Sequence, residues 1–190
     1  MFLKILAVAL VFVVGLLAFI ATRPADFQIT RTRAMAAPPD VVYGYVNDLR
    51  KWREWSPWEK RDPGLKREYS GAAAGTGASY HWVGNNQVGE GRLTITDSRP
   101  AQSIALRLEF MKPWTATNRA QFDFAPSGSG TSVTWTMSGE KNFMAKAFGL
   151  LVDVDKLVGT DFDRGLENLD AVSGAAARKA SRRDGEGDTA

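Results

Sequence analysis

The sequence predicts one α+β domain behind an N-terminal membrane anchor, with an antiparallel sheet of about seven strands covered by a long C-terminal helix. Three observations predict it. An apolar run opens the chain, and short alternating segments separated by Gly, Pro, Asn and Ser fill the middle. From Phe143 onward the apolar spacing changes from two residues to about 3.6.

Ile5 to Ala21 (ILAVALVFVVGLLAFIA) contains no charged or polar side chain. With Phe2 and Leu3 the run approaches 20 residues and is interrupted only by Lys4, which can snorkel to the interface. In lipid such a run must be helical, because no water satisfies its backbone. A cleaved signal would show small residues at positions −3 and −1 of its cleavage site. Ala21 is preceded two residues earlier by Phe19 and Ala18 by Leu16, so residues 1–22 read as a retained anchor, touching the membrane through residues 3–21. Arg23, Arg31 and Arg33 after the run favour a cytoplasmic domain by the positive-inside rule. A short N-terminus with one Lys resembles instead a signal anchor that exports the domain behind it. The balance favours the exported, periplasmic or extracytoplasmic side.

Phe27 to Met35 alternates as a first strand. Ala37-Pro38-Pro39-Asp40 breaks it and opens a helix over Val41–Leu49, with Pro near its start. Trp52, Trp55 and Trp58 follow at spacing three, and Pro57 ends the helix near Ser56. Strands are expected at Leu65–Ser70, Ala78–Val83, Gln87–Asp97, Ser103–Met111, Thr115–Phe124 and Ser132–Ser138, joined by turn residues as a meander with one buried face. Parity places Ile104, Leu106, Leu108, Phe110, Asn118, Ala120, Phe122, Phe124, Val133, Trp135 and Met137 in the inner row. A helix from Phe143 to Val172, centred on Val154, gathers Phe143, Ala147, Leu150, Leu151, Leu157, Val158, Leu169 and Val172 in one sector, with kinks allowed at Gly149, Gly159 and Gly165. The domain spans residues 27–172. The last 16 residues, 175–190, carry no large hydrophobe and are expected to be disordered.

Several function classes drop out. A net charge of +3 with interspersed signs offers no concentrated basic face, which excludes nucleic acid. The one basic cluster, Arg178, Lys179, Arg182 and Arg183, reads as a solvated tail. Absence of cysteine removes disulfides, thiolate nucleophiles and zinc ribbons. His81 is the only histidine and no carboxylate cluster has ligand spacing, so no metal is expected. Beside Tyr80 and Trp82 on its strand, His81 reads as outward or hydrogen-bonded. Gly71–Gly77 (GAAAGTG) lacks the following Lys-Ser/Thr and helix of a phosphate loop, and reads as a flexible loop at a cavity mouth. No cofactor is predicted.

Two polar residues stand on faces that should be buried. Asn118 lies in the inner row of its strand, and Asp161 lies two helical turns after Val154, facing the sheet. A buried carboxylate needs a partner, for which Asn118, an indole Nε1–H or Arg119 are the candidates, or else a wet cavity. The Trp triplet reads equally as a pocket rim or as a lid on one end of the sheet. If the sheet and helix enclose a pocket, Trp55, Trp58, Tyr80, Trp82, Phe110, Asn118, Phe122, Trp135, Val154 and Asp161 are the residues expected to line it; no catalytic residue is assigned.

The segments AAPPDVVYGYVNDLRKWREWSPWEK, GTGASYHWVGN, GEGRLTIT, TWTMSGEKNF and DVDKLVGTDFDRGLENL resemble the START-like SRPBCC superfamily, in particular its polyketide cyclase/dehydrase-like subgroup, over about Phe27 to Val172. The resemblance implies a helix-grip fold, a curved sheet wrapped on the C-terminal helix with a cavity for a hydrophobic ligand between them. It transfers no catalytic residue onto this chain. The two facing apolar surfaces and the polar pair Asn118 and Asp161 point first to a membrane-anchored module holding a hydrophobic small molecule or lipid. The alternatives are a cyclase or dehydratase with Asp161 or His81 as general base, and a domain without a cavity that docks a protein through its Trp patch.

Overall fold

The computed structural model describes residues 1–187. The opening apolar run forms helix α1 (Phe2–Thr22), whose only buried residue is Ile20. At 1.5 Å per residue it is about 31 Å long, the thickness of a bilayer's hydrocarbon core. It is long and apolar enough to cross a membrane.

Period-two alternation leaves each of seven strands with one apolar face. They are β1 (Asp26–Met35), β2 (Lys66–Gly71), β3 (Ala78–Val83), β4 (Glu90–Arg99), β5 (Ser103–Lys112), β6 (Ala116–Ser127) and β7 (Gly130–Glu140). They pair antiparallel in the order β1-β7-β6-β5-β4-β3-β2, a meander in which the first strand closes on the last. The inner row is the one parity predicts: Ile104, Leu106, Phe122, Val133 and Trp135 are all buried.

Between β1 and β2 the chain folds onto one end of that face. Pro39 starts helix α2 (Pro39–Asn47), where its missing N–H costs nothing. A 3₁₀ turn (Leu49–Lys51) comes next, with Asp48 accepting from the Arg50 amide, then α3 (Trp52–Trp55) and a second 3₁₀ turn (Pro57–Lys60). Val42, Val46 and Trp55 are completely buried. The Trp52 and Trp55 indoles donate back to the Val46 and Tyr45 carbonyls, so each large ring is placed with its polar atom satisfied.

The single helix expected over 143–172 is instead two. Helix α4 (Phe143–Phe148) is capped by Asn142, whose Oδ1 accepts from the Ala145 amide; α5 (Val154–Gly187) restarts after Asp153, whose Oδ1 accepts from the Lys156 amide. The break at residues 149–153 separates the two helical axes. Residues placed on one wheel therefore lose their common face, and Phe143, Leu150 and Leu151 are exposed; Leu157, within α5, is exposed as well. The face that α5 buries carries Phe162, Leu166, Leu169 and Ser173. Gly159 and Gly165 do not interrupt α5. A side chain at Gly165 would strike the Trp135 ring, so this glycine admits the close approach of helix to sheet. Arg31 on β1 clamps the first turns of α5 through Asp155 (3.1 Å) and Asp163 (3.5 Å).

Helix α5 also runs through most of the segment expected to be disordered, to Gly187, and Ala177 packs against the core. Ala175–Ala177 and the basic residues after them are strong helix formers, and extending an existing helix carries no nucleation cost. Residues 188–190 lie outside the described residues.

Candidate functional site

The gap between sheet and helix is real on one side. A cavity of about 230 Å³ lies under α5, reaching the surface beside exposed Gln87 and half-buried Val88 in the β3–β4 turn. Its walls are Tyr80, Trp82, Leu93, Leu108, Phe110, Ala120, Trp135 and Met137 from the sheet, Val158, Asp161 and Phe162 from α5, and Trp52, Ser56, Trp58, Glu59 and Leu65 from the connecting segment. Strand register shows which end this is. Phe110 pairs with Gly91 and Ala116, Trp82 with Gly91, and Asn118 with Gly139, so the cavity lies toward the end where β1, β4 and β6 begin and β3, β5 and β7 finish. Inward-facing Gly91 leaves room for the Trp82 ring, which a side chain there would strike.

Trp135 divides filled from unfilled space. It stacks on Phe122 (centroids 4.7 Å) and Phe162 (4.0 Å), with Trp52, Trp55 and Trp58 edge-on around it. Its Nε1–H is buried and has no hydrogen-bond partner among the described residues.

Two ion pairs carry the site's charge. Glu59, its side chain 6% exposed, accepts from Arg67 Nη2 (2.6 Å), Arg67 Nε (2.8 Å) and the Tyr80 hydroxyl (2.7 Å). Burial, then the hydrogen bond to Glu59, pushes the Tyr80 phenol far above its ordinary range, so it remains a donor. Asp161 is held by Arg61. Next to Arg61, Asp62 accepts from the Gly64 and Asn85 amides and ties the connecting segment to the β3–β4 turn at the mouth.

Of the ten residues expected to line a pocket, Trp58, Tyr80, Trp82, Phe110, Trp135 and Asp161 do so, and four do not. Trp55 and Phe122 are fully buried within the packed end of the core. Asn118 is buried beyond the cavity's edge, its Nδ2 3.9 Å from Met137 Sδ, and Val154 begins α5, half-buried and off the wall. The partner of Asp161 is Arg61, not Asn118, an indole or Arg119. The orientation of Asp161 follows from helical period, but its partner comes from a segment 100 residues away. His81 points outward from β3, with Nδ1 3.8 Å from Glu68 and Nε2 3.4 Å from Glu90, which removes it as a base in the cavity. The Gly71–Gly77 loop is at the opposite end of β3 from the mouth, where the Gly75 amide donates to the Asn47 carbonyl.

Glu59, Arg67, Arg61 and Phe162 escape sequence reasoning. A Glu two residues before an Arg, in a polar run after a Trp, has the pattern of solvent-facing residues. The one available signal is that Trp55 and Trp58 demand burial of the segment containing Glu59.

Residues 26–174 match the model of a family described as polyketide cyclase/dehydrase and lipid transport. Among solved structures, the chain is similar to a Rhizobium leguminosarum protein (14% identity, TM-score 0.59, covering 80% of this chain and 97% of that one). It is also similar to a Chromobacterium violaceum protein (15%, 0.57, 77% and 96%). A third is the di-domain ARO/CYC StfQ from the steffimycin biosynthetic pathway (13%, 0.59, 80% and 52%). At these identities the likeness concerns the fold. No curated protein gave a significant match.

Proposed function

The chain belongs to the polyketide cyclase/dehydrase and lipid transport family of the START-like SRPBCC superfamily, and on that premise we propose that it is a membrane-anchored module holding a hydrophobic small molecule or lipid in the cavity under α5. The observation that carries this reading is an apolar cavity of about 230 Å³ between sheet and helix whose wall carries few polar groups, Glu59 and Asp161 among them. Pockets that bind small molecules are mostly apolar with a few placed polar groups. Here an apolar body would lie against Leu93, Leu108, Phe110, Trp135 and Met137. At about 230 Å³ the space suits a compact ring system or one end of a longer chain. The anchor would keep such a carrier beside the pool of apolar molecules it serves, on the exported side of the membrane.

Delipidated full-length protein in detergent, titrated with a fluorescent fatty acid or sterol, is expected to saturate, and Trp135→Ala to weaken the binding. No saturable binding, or binding that Trp135→Ala leaves unchanged, overturns the reading. Mass spectrometry of molecules co-purifying with the intact protein identifies the natural occupant.

A second reading, a cyclase or dehydratase, draws on one observation: Asp161 lines the same cavity. As general base it would need substrate within hydrogen-bond reach of the oxygen not engaged by Arg61. Loss of turnover without loss of binding in Asp161→Asn would favour it. Burial of Trp52 and Trp55 weighs against a Trp patch that docks a partner.

A further inference from the structure

Apart from Met1 and α1, every exposed large apolar side chain among the described residues lies at one end of the sheet. Val83 ends β3, Trp114 sits in the β5–β6 turn, and six more occupy α4, the loop after it and the first turn of α5. Leu151 is 87% exposed. Such a concentration marks an interaction surface rather than scattered surface hydrophobes. The opposite end presents small and polar turns, among them Ser127–Gly128–Ser129 and Gly71–Gly77.

The position of α1 decides what covers this surface. Only Arg23, Pro24 and Ala25 separate α1 from β1, a reach of about 10 Å when fully extended. That short link is further tied down: the Lys141 amide donates to the Ala25 carbonyl (2.7 Å), and Lys146 Nζ on α4 donates to the Ala21 carbonyl in the last turn of α1 (3.2 Å). Wherever α1 is embedded, α4 is held at the level where the chain leaves the hydrocarbon. Amphipathic elements at that level bury their apolar side by about 5–10 Å, and Trp favours the same zone.

We propose that this end of the domain docks on the bilayer in which α1 is embedded, with α4, Leu150–Leu151 and Trp114 in the interfacial layer. The cavity lies toward this same end, so its occupant is a molecule dissolved in the membrane and passes between bilayer and cavity without crossing bulk water. The inference rests on α1 being a membrane anchor.

The chain has no cysteine, so single-cysteine variants of the full protein report on one site each. Leu151→Cys, Trp114→Cys and, at the far end, exposed Ser129→Cys are labelled with an NBD maleimide and reconstituted in phosphatidylcholine vesicles. At 151 and 114 emission should shift to the blue and be quenched by doxyl-labelled lipid at least about threefold more than at 129. Alkaline carbonate washing of the vesicles separates the two ways to fail. Release of the protein overturns the anchor and the docking together. Retention with 151 and 114 as open to aqueous iodide as 129 overturns the docking alone.

Discussion

At the end of the sheet covered by α2 and α3, Trp55, Phe122 and Val133 are wholly buried, and Trp135 is enclosed by rings on three sides. At the other end Leu108 and Phe110, on equally apolar positions of the same face, stay half-exposed beside a cavity. Residue types do not distinguish the ends. What differs is the covering layer: α2 and α3 bring Val42, Val46 and Trp55 down on one end, while at the other α5 is only beginning and the chain just before it has turned away as α4. An apolar face records which side is inward, and the elements crossing it decide whether the space is filled.

This contrast is open to direct test. Trp55→Ala strikes the filled end and should cost about 3–5 kcal/mol in chemical denaturation, because a fully buried ring leaves a cavity its neighbours cannot close; a loss below about 1 kcal/mol would show that end to be loosely packed. Glu59→Gln strikes the polar wall of the open end and strands Arg67, with an expected loss of about 3 kcal/mol.

Tyr80→Phe should cost about 1.5–2 kcal/mol at neutral pH, the worth of a hydrogen bond to a carboxylate. It also changes the alkaline limb. The Tyr80 phenol ionises near its ordinary 10.0 when unfolded but well above that when folded, so stability present below pH 10 falls as the pH rises further. Denaturation profiles above pH 10 should decline less steeply in Tyr80→Phe, and identical slopes would overturn the burial of this phenol against Glu59. The smallest stability change is expected from Ala120→Ile, which extends into the cavity. Stability should stay within about 1 kcal/mol of the parent, where the same enlargement in a packed core costs about 1–3. Binding of a fluorescent fatty acid should fall at least about tenfold. A large destabilisation would mean that no free space exists beside Ala120.

Much of the architecture was legible. All seven strands stand near their expected positions, and the inner row of β5, β6 and β7 is the one parity predicts. On the strands, alternation specifies facing, and Tyr80, Trp82, Phe110 and Trp135 all stand beside the cavity. The failures are of two kinds. Trp55 and Phe122 face inward as expected, but at the filled end. Val154 and the Leu150–Leu151 pair were placed on a helix that breaks at residues 149–153, where Asn142 and Asp153 cap separate segments.

Local periodicities and turn chemistry are properties of neighbouring residues, so the sequence alone determined the apolar N-terminal helix, the order of elements and the inward face of each strand. The tertiary structure alone decided that Glu59 would be buried with Arg67 and Tyr80, that Asp161 would meet Arg61, and that 230 Å³ would stay open under α5. Those outcomes depend on how far each covering element reaches over a shared surface, a sum over residues distant in the chain that no local pattern contains.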